Sequence, residues 1–333
     1  MAEGVRIRSA DAEKVKRELL KRKVLDKTKK PRREKGYVIF PVTERIKDFE
    51  TVVTTFETQK LKKFEDHLTE FLSPEEADQV RTSFDIVGDI AIIEIPDELQ
   101  AKEVGIAESL IAAHKNIKTV FKKTGEVKGR ERLRGLKFLA GEEKTEAIHR
   151  EHGCRFKVDV TRVYFSPRLS YERQRILEQT KDGEVIIDLF AGVGPFSIIL
   201  AKHRDVKVYA IDINPKCYEY LQENIKLNKV GDKVTPLLGD CREVAPKNVA
   251  TRVIMNLPKS SEEFLDLAFD VLKEGIIHFY SISPERDLFD SKIKMIGSVA
   301  RDEGRKVEIV GKRVVRPYAP RRHHVAIDVR IRK

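Results

Sequence analysis

The feature that most constrains the fold is an apolar stretch that runs into a glycine turn and then into a helical pattern. It reads EVIIDLFAGVGPFSIILAKH and covers residues 184–203. Gly192 and Gly194 let the backbone come close to a ligand, and the helix that follows offers free N–H groups at its N-terminus. A continuous apolar run before such a turn is typical of a strand buried on both faces of a parallel sheet.

The chain continues this alternation of strand and helix from about residue 160 onward. We predict five strands, separated for the most part by helical patterns, at 185–190, 206–211, 234–238, 253–256 and 276–281. Two further strand patterns, KVEIVGKRVVR and HHVAIDVRIRK, end the chain and are joined by PYAPRR. The fold class is therefore α/β, a doubly wound and mostly parallel sheet. The C-terminal antiparallel hairpin favours a class I (Rossmann-like) methyltransferase domain over a dehydrogenase.

The first half of the chain has a different pattern, from which we predict two small α+β modules. Residues 6–23 place apolar side chains at helical spacing, and YVIFPV has the character of a strand. The second module is mostly antiparallel by pattern. We place a basic N-terminal module at 1–55, a polar linker at 56–70, a middle module at 71–159 and the methyltransferase domain at 160–333.

Positive charge is concentrated in three segments. Residues 1–40, 119–137 and 311–333 carry net charges of +8, +5 and +7, although the whole chain carries only +11. Such segregation suggests a polyanionic partner, and nucleic acid is the simplest one. The alternative is a set of solubilising tails on the charge-rich surface of a thermophilic protein, since Asp, Glu, Lys and Arg make up 36% of the chain.

Composition also excludes several classes of protein. No apolar run approaches the about 18 residues that a membrane span needs, and the N-terminus has no signal-type segment. Cys154, Cys217 and Cys241 are scattered and form no CxxC pair. This excludes a zinc ribbon and makes a disulfide framework unexpected. We expect a cytoplasmic protein with no metal and no attachment to a membrane.

Acidic residues stand at the ends of three successive predicted strands. They are Asp188, Asp212 and Asp240, and Asp212 lies 20 residues after Gly192. That spacing is typical of the acid that accepts hydrogen bonds from ribose hydroxyls. Each acid alone is more often a helix cap, but three at one edge of a parallel sheet indicate a cofactor that contains a nucleoside.

S-adenosylmethionine fits this edge better than NAD does. Pro195 and Phe196 stand where a dinucleotide loop would lead toward its third glycine. The three acids could then meet the amino-acid part at Asp188, the ribose at Asp212 and the adenine near Asp240.

The fourth strand ends in Asn256-Leu257-Pro258-Lys259. Pro258 fixes the backbone and removes an N–H donor, so the side chain of Asn256 and nearby carbonyls can face a planar nitrogen substrate. The tetrapeptide resembles the Asn-Pro-Pro-aromatic motif of amino methyltransferases. Lys259 replaces the aromatic residue, so the motif does not predict stacking of an extruded base at that position.

These motifs together resemble the archaeal and eukaryotic-type tRNA (guanine-37-N1)-methyltransferases. The likeness covers nearly the whole chain and rests on RLRGLKFLAGE, VYFSPRLSYERQRI, DLFAGVGPFSI, AIDINP, LLGD and NLPK, in that order; NLPK points to the archaeal subgroup. The resemblance implies S-adenosylmethionine as cofactor and tRNA as partner, bound at its anticodon loop and at its outer corner. We expect the protein to be a monomer.

The resemblance also implies roles for particular residues. Glu172 would be the general base that removes the proton from guanine N1, which is a poor nucleophile while protonated. Arg132 would hold the guanine O6, where negative charge develops. Read without the family, Glu172 would only pair with Arg168 or Arg175, about one helical turn away.

The candidate site has two parts. The catalytic part consists of Glu172, Arg132, Asn256 and Pro258. The resemblance implies that Tyr164, Arg168 and Arg173 shape the methyl-donor and base pocket. The complete set of residues expected to bind the cofactor is Tyr164, Arg168, Arg173, Asp188, Phe190, Gly192, Gly194, Asp212, Ile213, Asp240, Cys241 and Asn256.

Three other functions compete with this interpretation. A wyosine-pathway paralogue would methylate a tricyclic guanosine or transfer an aminocarboxypropyl group at the same tRNA position, and NLPK with Glu172 argues against the second reaction. A tRNA-binding protein without catalysis is opposed by the intact set of strand-end acids. A dehydrogenase is disfavoured by GVGPF and by the terminal hairpin.

Overall fold

The computed structural model describes residues 1–26, 28–58, 63–128 and 133–332 of the chain. The chain divides into two compact units, Met1–Ala77 and Asp78–Lys333. Within the described ranges, no helix combines the length and the apolar character that a membrane crossing would need.

The N-terminal unit is built on a four-stranded antiparallel sheet. Its strands are β1 (Ala2–Arg8), β2 (Arg32–Glu34), β3 (Tyr37–Pro41) and β4 (Thr51–Thr54). They lie in the order β2-β3-β1-β4, and helix α1 (Ala12–Lys21) covers the sheet with Val15 and Leu19. Two short helices follow along the chain, α2 (Phe64–Leu68) and α3 (Pro74–Gln79).

One expectation for this unit is wrong. The helix predicted over residues 6–23 begins only at Ala12, because the preceding residues pair with β3 as a strand. Val5 lies opposite Phe40 and is fully buried, so pairing in the sheet outweighs the helical spacing of the apolar side chains. Leu20, which the pattern places on the apolar face, is 39% exposed.

The second unit begins with a four-stranded sheet of strands β5 (Asp85–Val87), β6 (Ile90–Ile93), β7 (Thr119–Lys128) and β8 (Leu133–Gly141). The strands lie in that order, and helix α4 (Glu103–Ala113) makes the crossover that leaves β6 and β7 parallel. The other two pairs are antiparallel. A hairpin follows, β9 (Glu146–Glu151) and β10 (Cys154–Asp159). The polar sequence of β9 did not predict a strand.

The remainder of the unit is a seven-stranded sheet. Its strands are β11 (Val185–Asp188), β12 (Lys207–Asp212), β13 (Val234–Leu238), β14 (Ala250–Met255), β15 (Leu272–Pro284), β16 (Lys306–Ala319) and β17 (Arg322–Arg332). The order is β13-β12-β11-β14-β15-β17-β16, and only β17 runs against its neighbours. The predicted fold class, a mostly parallel sheet that ends in an antiparallel hairpin, is confirmed.

Helices cover both faces of this sheet. They are α5 (Ser170–Gln179), α6 (Pro195–His203), α7 (Pro215–Asn228), α8 (Cys241–Val244), α9 (Leu265–Val271) and α10 (Asp290–Asp302). Ile186 packs on the face that holds α6, and Ile187 packs on the face that holds α9. Because successive residues of β11 point to opposite buried faces, the strand reads as a continuous apolar run.

Two asparagines of α7 attach the β9–β10 hairpin to this domain. Asn224 accepts a hydrogen bond from the backbone N of Lys157 at 2.7 Å and donates to its carbonyl at 3.1 Å. Asn228 does the same with Arg155, at 2.8 and 2.6 Å. The two amides therefore satisfy the open edge of β10 as a neighbouring strand would.

Candidate cofactor and active site

A cavity opens at the carboxyl ends of β11, β12, β13 and β14, where doubly wound sheets bind their ligands. Its wall contains nine of the predicted cofactor residues, which are Tyr164, Arg173, Phe190, Gly192, Asp212, Ile213, Asp240, Cys241 and Asn256. The structure thus brings most of the predicted set together on one concave surface.

The glycine turn is held in a conformation that other residues rarely adopt. Gly192 and Gly194 have φ values of +57° and +87°, in the left-handed region. A Cβ atom on Gly194 would also lie 2.4 Å from a methyl group of Leu221. Gly194 therefore serves the packing of the turn and is outside the described cavity wall, whereas Gly192 presents its backbone to the cavity.

Backbone donors fix the carboxylate of Asp212. Its Oδ2 accepts a hydrogen bond from the N–H of Gly192 at 2.7 Å, and its Oδ1 accepts one from the N–H of Asn214 at 2.9 Å. An ionised carboxylate has about four acceptor sites, so each oxygen can take a further donor. The glycine turn and Asp212 form one unit suited to a pair of ribose hydroxyls.

The next part of the cavity is mainly apolar. Phe190 meets Phe264 edge to face with ring centroids 5.0 Å apart, and Ile213 is partly exposed on the wall. Asp240 caps α8 by accepting from the N–H of Arg242 at 3.1 Å. Burial, and then the charge of Asp240, raise the pKa of the Cys241 thiol to about 12, so the thiol stays protonated. This slot suits a flat ring with a polar edge.

The structure places Asp188 behind the cavity wall. Its side chain is fully buried, and Ser197 Oγ donates to its Oδ2 at 2.8 Å. Burial raises the pKa of Asp188 to about 7; the Ser197 hydrogen bond opposes the shift and the nearby charge of Asp212 adds to it. Asp188 is not among the described residues that line the cavity, although the strand-end pattern placed it with Asp212.

Arg173 is a fixed cation in the cavity wall. Its guanidinium donates to both carboxylate oxygens of Glu151, at 2.5 and 2.7 Å, and to the carbonyl of Ser166 at 3.1 Å. Burial alone would raise the pKa of Glu151, but hydrogen bonds from His149 and Arg173 hold it at about 2. The β9–β10 hairpin, which carries Glu151, therefore helps to build the cavity.

Arg168 lies elsewhere. Its Nε is 2.5 Å from Oδ1 of Asp85 on β5, and Arg168 is outside the described cavity wall. The sequence allowed a pair between Arg168 and Glu172, and the structure shows that Arg168 has a different partner. Arg168 therefore forms a long-range ion pair with a largely buried carboxylate.

Glu172 is also outside the described cavity wall and is only 2% exposed. Its two oxygens differ. Oε2 accepts hydrogen bonds from Arg175 Nε and from the hydroxyl of Tyr280, both at 3.0 Å. Oε1 lies 3.2 Å from Arg313 Nε without the angle of a hydrogen bond, and it has no hydrogen-bond partner among the residues that the structure describes.

The partners of Glu172 belong to a larger buried cluster. Arg175 also pairs with Asp328, which accepts from His278 Nδ1 at 2.6 Å. His278 Nε2 in turn accepts from Arg252 at 2.6 Å, because arginine can only donate. Burial alone would raise the pKa of Asp328, but His278 and Arg175 hold it well below its usual range. The cluster fixes Arg175 from the side opposite Glu172.

The turn after β14 presents Asn256 to the cavity. The carbonyl of Leu257 accepts from the N–H groups of Ser260 and Ser261, at 2.9 and 2.8 Å. The carbonyl of Pro258 accepts from Ile282 at 3.0 Å and is used by the sheet, so Pro258 is absent from the described wall. The Oδ1 atom of Asn256 is buried and has no hydrogen-bond partner in the described parts of the chain. It is an acceptor ready for a donor on a ligand.

Arg132 lies outside the described residues. Sequence reasoning missed several residues that the structure brings to the site. Those in the wall include Phe165, Ser166, Leu169, Phe196, Cys217 and Phe264. Those around Glu172 include Tyr280, Arg313 and Asp328. Phe165, Ser166 and Leu169 lie within VYFSPRLSYERQRI, and Phe196 lies within DLFAGVGPFSI, but the motifs assigned no site role to them. The other residues lie in none of the family motifs, and the order of the strands brings them near the cavity or Glu172.

Comparison with known proteins agrees with this geometry. Residues 147–310 match the TRM5/TYW2 methyltransferase domain, residues 64–145 match the TYW2 N-terminal domain, and residues 4–50 match the tRNA methyltransferase 5 N-terminal domain.

The chain is 46% identical to a tRNA (guanine(37)-N(1))-methyltransferase Trm5b of Pyrococcus abyssi, over 99% of both chains. It is 38% identical to the solved complex of aTrm5 with tRNALeu, with a TM-score of 0.75 over 99% of both chains. It is equally similar in sequence to Methanocaldococcus jannaschii Trm5 in complex with adenosine, with a TM-score of 0.69 and the same coverage.

Proposed function

The chain belongs to the TRM5/TYW2 methyltransferase family, and from that premise we propose how its residues methylate N1 of guanosine 37 in tRNA with S-adenosylmethionine. The enzyme is an S-adenosylmethionine-dependent tRNA (guanine(37)-N1)-methyltransferase. The observation that carries the proposal is the state of Glu172. One oxygen of this buried carboxylate is held by two donors, and the other accepts no hydrogen bond from the residues that the structure describes.

The cavity fits the cofactor. Asp212, oriented by the N–H of Gly192, would accept hydrogen bonds from the ribose hydroxyls. The apolar slot of Phe190 and Ile213, with Asp240 at its edge, would hold the adenine. Asp188 would act from behind the wall by supporting the glycine turn through Ser197. When bound, the cofactor supplies an electrophilic methyl group.

Glu172 is the proposed general base. Arg175 and Tyr280 hold Oε2, so that Oε1 is the oxygen left to accept the proton of guanine N1. Arg313, 3.2 Å from Oε1 without a hydrogen bond, would move aside when the base enters. Asn256 Oδ1 would accept a hydrogen bond from the N–H groups of the guanine edge. Pro258 holds that turn against β15 through its carbonyl.

Arg132 is proposed to hold the guanine O6, on the strength of its place in RLRGL alone. A guanidinium there would stabilise the negative charge that develops on O6 as N1 loses its proton.

Two other functions are less well supported. A wyosine-pathway reaction at the same nucleotide uses a related pocket, but a full-length likeness of 46% to a guanosine-37 N1-methyltransferase favours the simple guanine. A tRNA-binding protein without catalysis would have no need for a buried carboxylate with one oxygen that accepts no hydrogen bond from the described residues.

The N-terminal residues 1–55 are proposed to bind the outer corner of the tRNA, and the middle module 71–159 to contact the tRNA as well. Lys14, Lys16 and Lys21 lie exposed on α1, and none of them has a carboxylate partner among the described residues. Such cations are available to phosphates. We propose that the enzyme acts as a monomer in the cytoplasm, which agrees with its three buried, free cysteines.

A methyl-transfer assay on unmodified tRNA transcripts tests the activity. The product nucleoside, identified by mass and chromatography, is expected to be N1-methylguanosine from position 37. A matched transcript with adenosine at position 37 should accept no methyl group. Methylation of that control, or a product modified at another guanine atom, would refute the proposal.

A further inference from the structure

Two tyrosines near the proposed active site are unusually exposed. Tyr171, in the first turn of α5, is 66% exposed, and Tyr318, at the end of β16, is 41% exposed. The other six tyrosines, all within the described ranges, are partly or fully buried. Tyr171 and Tyr318 are therefore candidate contacts for a partner.

Each ring lies close to a cationic side chain that also lies near the proposed active site. The guanidinium of Arg313 lies 4.7 Å from the ring centroid of Tyr171, and its Nε lies 3.2 Å from Oε1 of Glu172. The ammonium of Lys259, in the turn after β14, lies 5.8 Å from the ring centroid of Tyr318. Tyr318 thus stands beside the position where related amino methyltransferases have an aromatic residue, and it can supply the ring that the turn lacks.

The charge around the tip of the β16–β17 hairpin is unbalanced. Arg316, Arg321 and Arg322 have no carboxylate partner among the described residues, and the same is true of Lys259. The other end of the hairpin differs, because Arg330 lies 3.1 Å from Glu308. Cations that pair with a carboxylate are already neutralised, whereas those at the tip are available to an anion.

Exposed rings interleaved with unpaired cations are how proteins hold single-stranded nucleic acid, by stacking bases and neutralising phosphates. We propose that the hairpin tip and Tyr171 form a platform for the anticodon-loop nucleotides that flank guanosine 37. Unpaired bases stack on Tyr171 and Tyr318, and Arg316 and Lys259 neutralise the adjacent phosphates. This inference rests on the proposed function and adds the surface that holds the RNA next to the reacting base.

The platform also explains how the active site could respond to substrate. Arg313 contacts both Tyr171 and Glu172. A base that stacks on Tyr171 would compete with the guanidinium for the ring face. Moving Arg313 would uncover Oε1 of Glu172, so that binding of the loop and release of the general base are coupled.

The test measures binding of an unmodified anticodon stem–loop RNA to the full-length enzyme. Tyr171→Ala and Tyr318→Ala are each expected to weaken binding by roughly 5- to 100-fold, the range for one base–aromatic stack. Tyr171→Phe and Tyr318→Phe keep the ring and should stay within about twofold of wild type. Alanine variants that bind as wild type does would overturn the platform.

A matched pair of arginines provides a second, independent readout. Arg316→Ala should reduce the slope of log Kd against log salt by about 0.7 to 0.9, because one phosphate contact is lost. Arg330→Ala, on the same hairpin, should leave the slope unchanged, since Glu308 already neutralises that side chain. Equal slopes for the two variants would refute the proposal even if the tyrosine variants fail to fold.

The same RNA distinguishes this inference from the proposed function. If wild type methylates the stem–loop but Tyr171→Ala and Tyr318→Ala bind it as wild type does, the platform is wrong and the activity stands. If the variants lose binding but wild type forms no N1-methylguanosine, the RNA surface stands and the proposed reaction is wrong.

Discussion

Two carboxylates of this enzyme are built in opposite ways. Asp212 lies in the cavity wall and is held by two backbone N–H groups, at 2.7 and 2.9 Å, from the glycine turn after β11 and from the start of α7. Glu172 is buried and is held by the side chains of Arg175 and Tyr280, with Arg313 beside its second oxygen. One carboxylate is presented to a ligand, and the other is covered by the protein.

The difference suggests that one carboxylate serves cofactor binding and the other serves the chemical step. Backbone donors cannot swing away, so the carboxylate of Asp212 keeps its orientation in the free enzyme. Side-chain partners can rotate, so Glu172 can be sequestered until the RNA displaces Arg313. We therefore expect changes at Asp212 to alter cofactor affinity and changes at Glu172 to alter the chemical step.

The largest expected effect tests the catalytic half of this comparison. Glu172→Gln should lower single-turnover methyl transfer by about 10²- to 10⁴-fold, the usual contribution of a general base. Cofactor affinity should change little, because the amide keeps the shape of the side chain. The rate should partly recover at high pH, where free guanine N1 begins to ionise.

The control for this prediction is Glu178→Gln on the same helix, where the carboxylate accepts a hydrogen bond from Gln174. It should leave the rate unchanged. If Glu172→Gln instead lowers thermal stability and leaves the rate with both ligands saturating unaltered, the carboxylate is only a partner of Arg175.

The binding half of the comparison predicts a smaller effect. Asp212→Ala removes a charged acceptor, and hydrogen bonds to charged groups contribute about 1.5–3 kcal/mol each. We expect calorimetry to show roughly 10- to 100-fold weaker binding of S-adenosylmethionine. Binding of tRNA should be nearly intact. Asp205→Ala, at an exposed loop position, is the control, and equal cofactor affinity in the two variants would contradict the assignment.

The same comparison explains what could be predicted from the sequence. The partners of Asp212 are Gly192 and Asn214, which belong to one strand–turn–helix pattern and its neighbour. Their spacing follows from the geometry of a parallel sheet, so their meeting at one edge of the sheet was predictable. The fold class was predictable for the same reason, because buried strands and terminal hairpins have distinct apolar patterns.

The surroundings of Glu172 could not be found this way. Tyr280 lies on β15, Arg313 on β16 and Asp328 on β17, more than 100 residues away along the chain. Only the strand order β15-β17-β16 brings them to α5. The local sequence around Glu172 predicted an ion pair within the helix. The pair with Arg175 is present, but it is one of several contacts that Glu172 makes.

Asp188 is a third carboxylate to compare. It is not among the described residues that line the cavity, and it does not belong to the Glu172 cluster. Its pKa is raised to about 7, mainly by burial. An acid of this kind binds its proton more tightly in the folded state. Its contribution to stability is therefore present at low pH and is lost as the pH rises from its unfolded value toward about 7.

Asp188→Asn removes this titration. From about pH 5.5 to 7 the stability of wild type should fall relative to the variant by about 2 kcal/mol, at ~1.4 kcal/mol for each pH unit. Denaturant unfolding at the two pH values measures the difference. A parallel fall in both proteins would mean that Asp188 is already ionised in the folded state.

The smallest expected effect concerns the hydroxyl of Tyr280, which donates to the held oxygen of Glu172 at 3.0 Å. Tyr280→Phe keeps the buried ring and removes one donor, while Arg175 still holds the same oxygen at 3.0 Å. Loss of one hydrogen bond to a charged group should lower the free energy of unfolding by roughly 1.5–3 kcal/mol. Methyl transfer should slow only a few-fold, because the base itself remains, and cofactor affinity should not change.

If the variant instead loses activity as completely as Glu172→Gln, orientation of the carboxylate by Tyr280 is as important as its basicity, and the two oxygens of Glu172 cannot be assigned separate tasks. If neither stability nor rate changes, the hydroxyl of Tyr280 does not hold Glu172, and Arg175 is the partner that does.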